Sequence, residues 1–252
     1  QAITVIDRMD YLAPLSNNLG YVLAVEKLLG LEVPPRARIL RLLFTELQRM
    51  ASHLLWLGTT ALDIGSQSVL MYAFDLREGI LDLFEEASGA RMNPSYFRVG
   101  GIARDIPEGF EDMCRRFLDR VPERIREIRN ILDENPIWLD RLKGVGVISA
   151  EDAIAWGVTG PNLRACGVPY DVRKAFPYAG YDEFEFDVPV GENGDCYDRY
   201  VVRMEEIMES YRLCRQALAR LPGGPVMVDD RKIALPPKHE LQHSMEALIH
   251  HF

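Results

Sequence analysis

The feature that most constrains this chain is the run from Pro34 to Ala61, PPRARILRLLFTELQRMASHLLWLGTTA. Paired prolines can open a helix, because first-turn amides need no intrahelical partner and proline's fixed φ suits the helical backbone. The spacing predicts a helix from Pro34-Pro35 to about Ala61, apolar on most of its circumference. A helix of that kind has to be buried, so other elements must wrap around it. Glu46, Arg49 and His53 interrupt the apolar surface at spacings of three and four, in line with Leu42 and Trp56. Ionisable groups are rarely enclosed without partners. Two readings stay open: an ion row that fixes helix register, or a proton-carrying element beside a redox site. Either way, the three side chains are expected to be buried and mutually paired.

The flanking sequence supplies the wrapping. Leu12 to Leu29 carries apolar residues at Leu15, Leu19, Val22, Leu23 and Leu29, and Gly30 stops it. Val69 to Ser88 ends at Gly89, and Glu108 to Glu134 alternates charge signs as a solvated helix face does. Tyr197 to Leu221 runs into Pro222-Gly223-Gly224, and Pro236-Pro237 opens a last helix. Tyr96 to Gly101 is loop or strand, Lys143 to Ile148 is strand-like, and Glu183 to Val188 alternates like a strand. The expectation is a mainly α (α+β) fold, one helical domain over residues 1–252 with a small irregular β region. Gln1 opens directly into an apolar stretch and His250-His251-Phe252 ends in mid-helix, so the chain is read as the central piece of a longer polypeptide.

Composition removes several function classes. Of 252 residues, 38 are acidic and 29 basic, a formal charge of −9 that repels phosphate backbones and argues against nucleic acid. No apolar run approaches the ~18–20 residues of a spanning helix. The residues before Asp7 have no basic signal region. Cys114, Cys166, Cys196 and Cys214 form no C-x-x-C pair, so no thiolate metal cage is expected. His239 and His243 are spaced i, i+4 without an acidic third ligand, which favours an ordinary surface helix over a metal site. Arg8, Asp10 and Tyr11 in DRMDYLAP, and Asp63 before IGSQS, are the remaining conspicuous positions. Taken alone, such a tyrosine is core or interface and such an aspartate a cap.

Longer segments carry more information. RMDYLAPLSNNLGYVLAVEKLLGLEVPPRARILRLLFTELQRMASHLLWLGTTALDIG, SGARMNPSYFRVGG, YDVRKAFPYAGYDEFEFDVPVGENGDCYDRY and SMEALIHHF resemble the matching stretches of the D-type (49-kDa-type) quinone-site subunit of respiratory complex I, the NADH:quinone oxidoreductase. The resemblance covers essentially the whole chain. It implies a helical domain of the nickel–iron-hydrogenase large-subunit type, lacking the family's amino-terminal strands with their histidine-bearing loop and roughly its last quarter. It also implies a peripheral subunit on the cytoplasmic face of a bacterial inner membrane that binds no cofactor alone. Quinone is then the substrate of a proton-translocating complex, and NADH, FMN and iron–sulfur clusters belong to partner subunits. Those partners are the subunit that holds the terminal iron–sulfur cluster, the neighbouring C-type subunit and the membrane subunit at the quinone channel.

The same resemblance assigns residues. Tyr11 matches the tyrosine that hydrogen-bonds a quinone carbonyl, so its hydroxyl is expected to point into a deep cavity. Asp63 matches the aspartate that partners the quinone-site histidine. Arg8 matches an arginine near the terminal cluster, and Asn93 stands where many relatives have a cluster-contacting histidine. Asparagine can hydrogen-bond but cannot titrate. No metal ligand is expected. The main alternative is the large subunit of a membrane-bound nickel–iron hydrogenase, whose first C-x-x-C pair falls at Asp10 and Ala13; neither side chain replaces a soft thiolate. A third is an assembly scaffold without a quinone site, against which Tyr11 and Asp63 together argue.

Overall fold

The run after Pro34 becomes one continuous helix, and the fold is assembled around it. The structure, a computed structural model, describes residues 2–230, 232–236 and 238–251. A single turn α1 (Ile3–Ile6) leads to α2 (Pro14–Leu29), α3 (Pro35–Ile64) and α4 (Gln67–Ser88). Proline sits in the first turn of both α2 and α3. Leu62, Asp63 and Ile64 extend α3 one turn beyond the expected end, up to Gly65 at φ 109°. There the Ser66 and Gly65 amides donate to the carbonyls of Ala61 and Leu62 at 2.7 and 2.9 Å, the double closure for which a left-handed glycine is suited.

After α4 comes a minimal hairpin, β1 (Phe97–Arg98) and β2 (Gly101–Ile102), paired antiparallel with Phe97 opposite Ile102. It is strapped by the later chain: the Ile102 amide donates to Val226 O and the Val228 amide to Gly100 O, both at 3.0 Å. A Cβ on Gly101 would lie 2.1 Å from Val226 O, so only glycine allows this approach. Then follow α5 (Phe110–Leu132), α6 (Pro136–Leu142), α7 (Ala150–Ala155), α8 (Gly160–Ala165), α9 (Val172–Ala175), a 3-10 turn at Tyr181–Glu183, α10 (Cys196–Ala219), a second 3-10 turn at Glu240–Gln242 and α11 (Met245–His251).

α3 packs against α2, α4 and α10, and α5 backs both α4 and α10. Leu40, Leu43, Leu47, Met50 and Leu54 of α3 are fully enclosed. Phe44 gathers the rings of Tyr96, Phe110 and Phe84 at centroid distances of 4.9, 5.5 and 6.0 Å, which ties α3 to α4, α5 and the hairpin. Truncating such a ring typically costs about 3–5 kcal/mol. The fold is therefore mainly α with one small sheet, as expected.

Four local expectations are corrected. Lys143 to Ile148 is not a strand, because Gly144 and Gly146 take φ values of 70° and 62° and break the extended backbone. Its edge is held by single bonds instead, Ile148 N to Gly194 O and Cys196 N to Val145 O, each 3.0 Å. Glu183 to Val188 does alternate, burying Phe184 and Phe186 while exposing Glu185 and Asp187. Its hydrogen-bond partner, however, is a helix: the Glu185 and Asp187 amides donate to the side chains of Gln216 and Glu209 on α10, at 3.0 and 2.9 Å. The last helix begins at Met245, not beside Pro236; Pro237 lies outside the described residues. His239 and His243 flank the one-turn Glu240–Gln242 element, so they do not share an α-helical face.

Candidate functional site

Two sets of polar residues stand out, one enclosed and one on the surface. The enclosed set is built on α3. Glu46 is completely buried and accepts hydrogen bonds from Tyr181 Oη and, at 2.7 Å, from Ser210 Oγ on α10. Arg173 reaches it at 3.2 Å and Arg49 at 3.3 Å. Arg173 also binds Asp171 at 2.7 Å, Asp171 lies 3.9 Å from Arg164, and Arg164 binds Glu206 at 2.5 Å. Glu206 in turn accepts from His53 Nε2 at 2.7 Å. Three acids and three arginines thus alternate from Arg49 to Glu206, with His53 at the end.

Burial tends to raise the Glu46 carboxyl, but the Arg49 and Arg173 guanidiniums and the Tyr181 and Ser210 hydroxyls hold it below the usual carboxylate range. Burial works the same way on Glu206, where the His53 hydrogen bond and Arg164 bring it down to about 2. Asp171, also resisting burial, is held near 2 by Arg173 and Arg164. Burial keeps His53 below the ordinary histidine value despite Glu206, so the imidazole is neutral and donates. Burial of the expected row is largely met, but its pairing needs correction. Glu46 does meet Arg49, whereas His53 bonds neither and turns to α10. Arg49 is only partly enclosed, with a quarter of its side chain exposed, and lines a cavity of about 380 Å³ with Leu19, Leu23 and Tyr178.

The surface set begins in the turn between α1 and α2. Leu12 N donates to Asp10 Oδ1 at 3.1 Å, Asn17 Nδ2 to Asp10 O at 2.9 Å, and the buried Gln48 of α3 to Leu12 O at 2.8 Å. These bonds fix the backbone on either side of Tyr11. Its side chain is 61% exposed and its hydroxyl has no hydrogen-bond partner among the described residues. The deep cavity expected around Tyr11 is therefore not formed by this chain. Arg8 is exposed too, and its guanidinium donates only to the Thr4 carbonyl within α1.

Asp63 occupies the last turn of α3, exposed and without an ion pair among the described residues. It does not cap the turn; Gly65 does. A carboxylate at the negative end of a helix dipole is unfavourable by about 0.3–1 kcal/mol. The structure does not bring Asp63 against Tyr11, since Gln48, which anchors Leu12, lies fifteen residues (~22 Å) earlier along α3. Arg8 and Asn93, by contrast, come to the same end. Asp7, beside Arg8, is completely buried, and the Ser95 amide, Asn18, Arg8 and Arg98 act on its carboxyl. Asn93 and Ser95 hold φ values of 52° and 42°, a left-handed backbone that asparagine tolerates.

Comparison with known proteins identifies what this frame belongs to. The family model described as "Respiratory-chain NADH dehydrogenase, 49 Kd subunit" matches residues 63–252. The chain is 58% identical, over its full length, to the second D-type subunit of NADH-quinone oxidoreductase in Roseiflexus sp. (strain RS-1) and to that in Chloroflexus aurantiacus, covering 61% and 62% of those proteins. It is 54% identical to the D-type subunit of NADH-quinone oxidoreductase in Geotalea uraniireducens, again along all of this chain and 65% of the relative. The chain belongs to the 49-kDa subunit family. It spans somewhat under two thirds of the relatives it matches.

Within this family frame the hydrogenase alternative loses its chemistry. Asp10 is engaged as a turn acceptor for Leu12, and Ala13 has no donor atom, so half of a thiolate cage has no counterpart here. No helix of the described residues is long and apolar enough to cross a membrane. Sequence reasoning missed Arg164, Asp171, Arg173 and Glu206, the partners of the α3 row. The one available signal was arithmetic: Glu46 and His53, if buried, each needed a counter-ion from another element. It also missed Asp7 and Asn18, for which no local pattern gave a sign.

Proposed function

We propose that this chain forms the quinone-reducing wall of a proton-translocating NADH:quinone oxidoreductase. What carries the reading is 58% identity along the full chain to subunits of an enzyme of that name, together with a phenol, a guanidinium and a carboxylate that the fold itself leaves without partners. Tyr11 offers a hydroxyl donor to one quinone carbonyl. Asp63 holds and orients the family's quinone-site histidine, which the resemblance places outside residues 1–252, and so raises the imidazole's basicity. The ~22 Å of α3 between the Leu12 anchor and Asp63 leaves room for a phenol, a headgroup and an imidazole in sequence. Reduction to hydroquinone takes two electrons and two protons. The chain's part is to hold donors where negative charge develops on the carbonyl oxygens.

Arg8 and Asn93 face the partner subunit that holds the terminal iron–sulfur cluster, which supplies the electrons. NADH, FMN and the other clusters belong to further partner subunits. The C-type subunit and the membrane subunit at the quinone channel cover the Tyr11 and Asp63 surfaces and enclose the cavity that this chain alone leaves open. The assembly sits on the cytoplasmic face of a bacterial inner membrane.

The test is Tyr11→Phe in the assembled complex. Loss of one donor to the developing oxyanion lowers quinone reduction by about tenfold or more, with assembly intact. Unchanged turnover with a short-chain quinone removes Tyr11 from the mechanism. Metal analysis of the full-length protein separates the hydrogenase alternative, which requires bound nickel.

A further inference from the structure

The most unusual enclosed group takes no part in the network of α3. Asp7 has 0% exposure, and neither carboxyl oxygen completes a hydrogen bond. Asn18 of α2 is equally enclosed, and neither atom of its amide is bonded. Asn93 Oδ1 is a third buried, unbonded atom at this end of the molecule. Buried polar atoms are nearly always satisfied, so such a cluster calls for an explanation.

The groups acting on Asp7 come from each element packed on it. Its own turn contributes Arg8, α2 the neutral Asn18, and the segment before and within β1 the Ser95 amide and Arg98. Neither arginine forms an ion pair with it: Arg8 donates to Thr4 O, and Arg98 to Ser95 and to Phe97 O. An ion so enclosed and so poorly hydrogen-bonded is costly. A neutral carboxylic acid is not, because beside an amide it can donate to Asn18 Oδ1 while accepting from Nδ2, which satisfies both side chains at once. Burial accordingly raises the Asp7 carboxyl above its ordinary range, against the opposing pull of Ser95, Asn18 and the two arginines.

We propose that Asp7 is the group that takes up a proton when the partner subunit's terminal cluster accepts an electron, the function that Asn93 cannot perform. The inference rests on the cluster-facing assignment of Arg8 and Asn93 made above. One electron, delivered from NADH through the partner subunits' cofactors, enters the cluster. One proton from water binds a carboxylate oxygen of Asp7, so the local charge is unchanged. Reoxidation of the cluster by quinone returns the proton. The added negative charge favours the neutral acid, and by linkage the proton favours cluster reduction.

The experiment is a redox titration of the terminal cluster, followed by its paramagnetic resonance signal in the intact complex, from about pH 5 to about pH 9. Between the Asp7 pKa values of the oxidised and reduced states, each pH unit is expected to change the reduction equilibrium up to tenfold, about 59 mV for one electron. Asp7→Asn, which keeps the shape, is expected to abolish that dependence. Asn18→Ala removes an interaction that favours the ionised form and is expected to move the sloping region to higher pH. In the wild-type enzyme, infrared difference spectra with isotope-labelled aspartate should show an aspartic-acid carbonyl band appearing on cluster reduction. That measurement decides even if the variants fail to assemble.

A pH-independent wild-type potential, a slope that survives Asp7→Asn, or the absence of that band overturns the proposal. Arg8→Ala and Asn93→His separate this failure from that of the underlying assignment. If neither perturbs the cluster's resonance signal, the surface does not face the cluster and both ideas fall. If they do perturb it while the slope survives Asp7→Asn, only the role of Asp7 falls.

Discussion

The interior of the α3–α10 interface and the turn before α2 treat polar chemistry in opposite ways. At the interface, Glu46, Asp171, Glu206, Arg164 and Arg173 are buried and each has at least one charged partner within 3.3 Å. Around Tyr11, Arg8 and Asp63 the fold fixes the backbone and leaves the functional atoms without a partner. Yet it was the interface row that suggested redox chemistry on spacing alone. A self-satisfied network is what an architecture needs to hold α3, α8, α9 and α10 in one register, and its charges are consumed by that task. Groups kept in place but unbonded are those available to a substrate or a neighbour.

The largest effect that tests this contrast comes from Glu206. Glu206→Gln leaves Arg164 and His53 enclosed without their carboxylate and should destabilise the protein by about 3–5 kcal/mol. Thermal denaturation of the assembled complex reads it, and a shift too small to resolve would mean that the network is incidental to stability. Acid should act on the same region. Glu206 and Asp171 have folded-state pKa values held near 2, below their unfolded values. Their stabilisation is full above the unfolded carboxylate range and is lost as pH falls from there towards about 2. His53, also shifted down, resists protonation in the fold and so adds to the loss below its ordinary pKa. Melting followed from about pH 7 to about pH 3 should decline throughout; a flat profile would show these groups to be solvated.

The surface set predicts the reverse pattern, activity lost without stability. Tyr11→Phe, set out above, is its strongest case. The smallest and sharpest is Asp63→Asn. Removing a carboxylate from the negative end of α3 should raise stability by about 0.3–1 kcal/mol, while quinone reduction falls as the imidazole loses its partner. If the variant is instead less stable, Asp63 has a structural partner and belongs with the interface.

The long elements were legible because their signals are local. Apolar periodicity together with Pro34-Pro35, Gly30 and Gly89 located α2, α3 and α4 within a few residues. The short helices α6, α7 and α9 were written in a different code that was passed over, the side-chain caps of Asn135, Ser149 and Asp171, each accepting a backbone amide at the helix start. The partners of Glu46 were not legible, since Arg173 and Ser210 stand 127 and 164 residues away. Tyr11 and Asp63 stood out only by family resemblance; no rule of spacing distinguishes a phenol waiting for a quinone from one lying on a surface.

The length of α3 has a mechanical corollary. Arg41, near one end, is clamped to Glu26 and to the carbonyls of Arg98 and Gly101, while Asp63 stands at the other end. Twenty-two residues of unbroken helix make a stiff arm of ~33 Å. Pivoted at the clamp, a tilt of about 3° displaces the Asp63 carboxylate by ~2 Å, the difference between a hydrogen bond and none. The arm trades a small angle beside the hairpin for a large stroke at its tip.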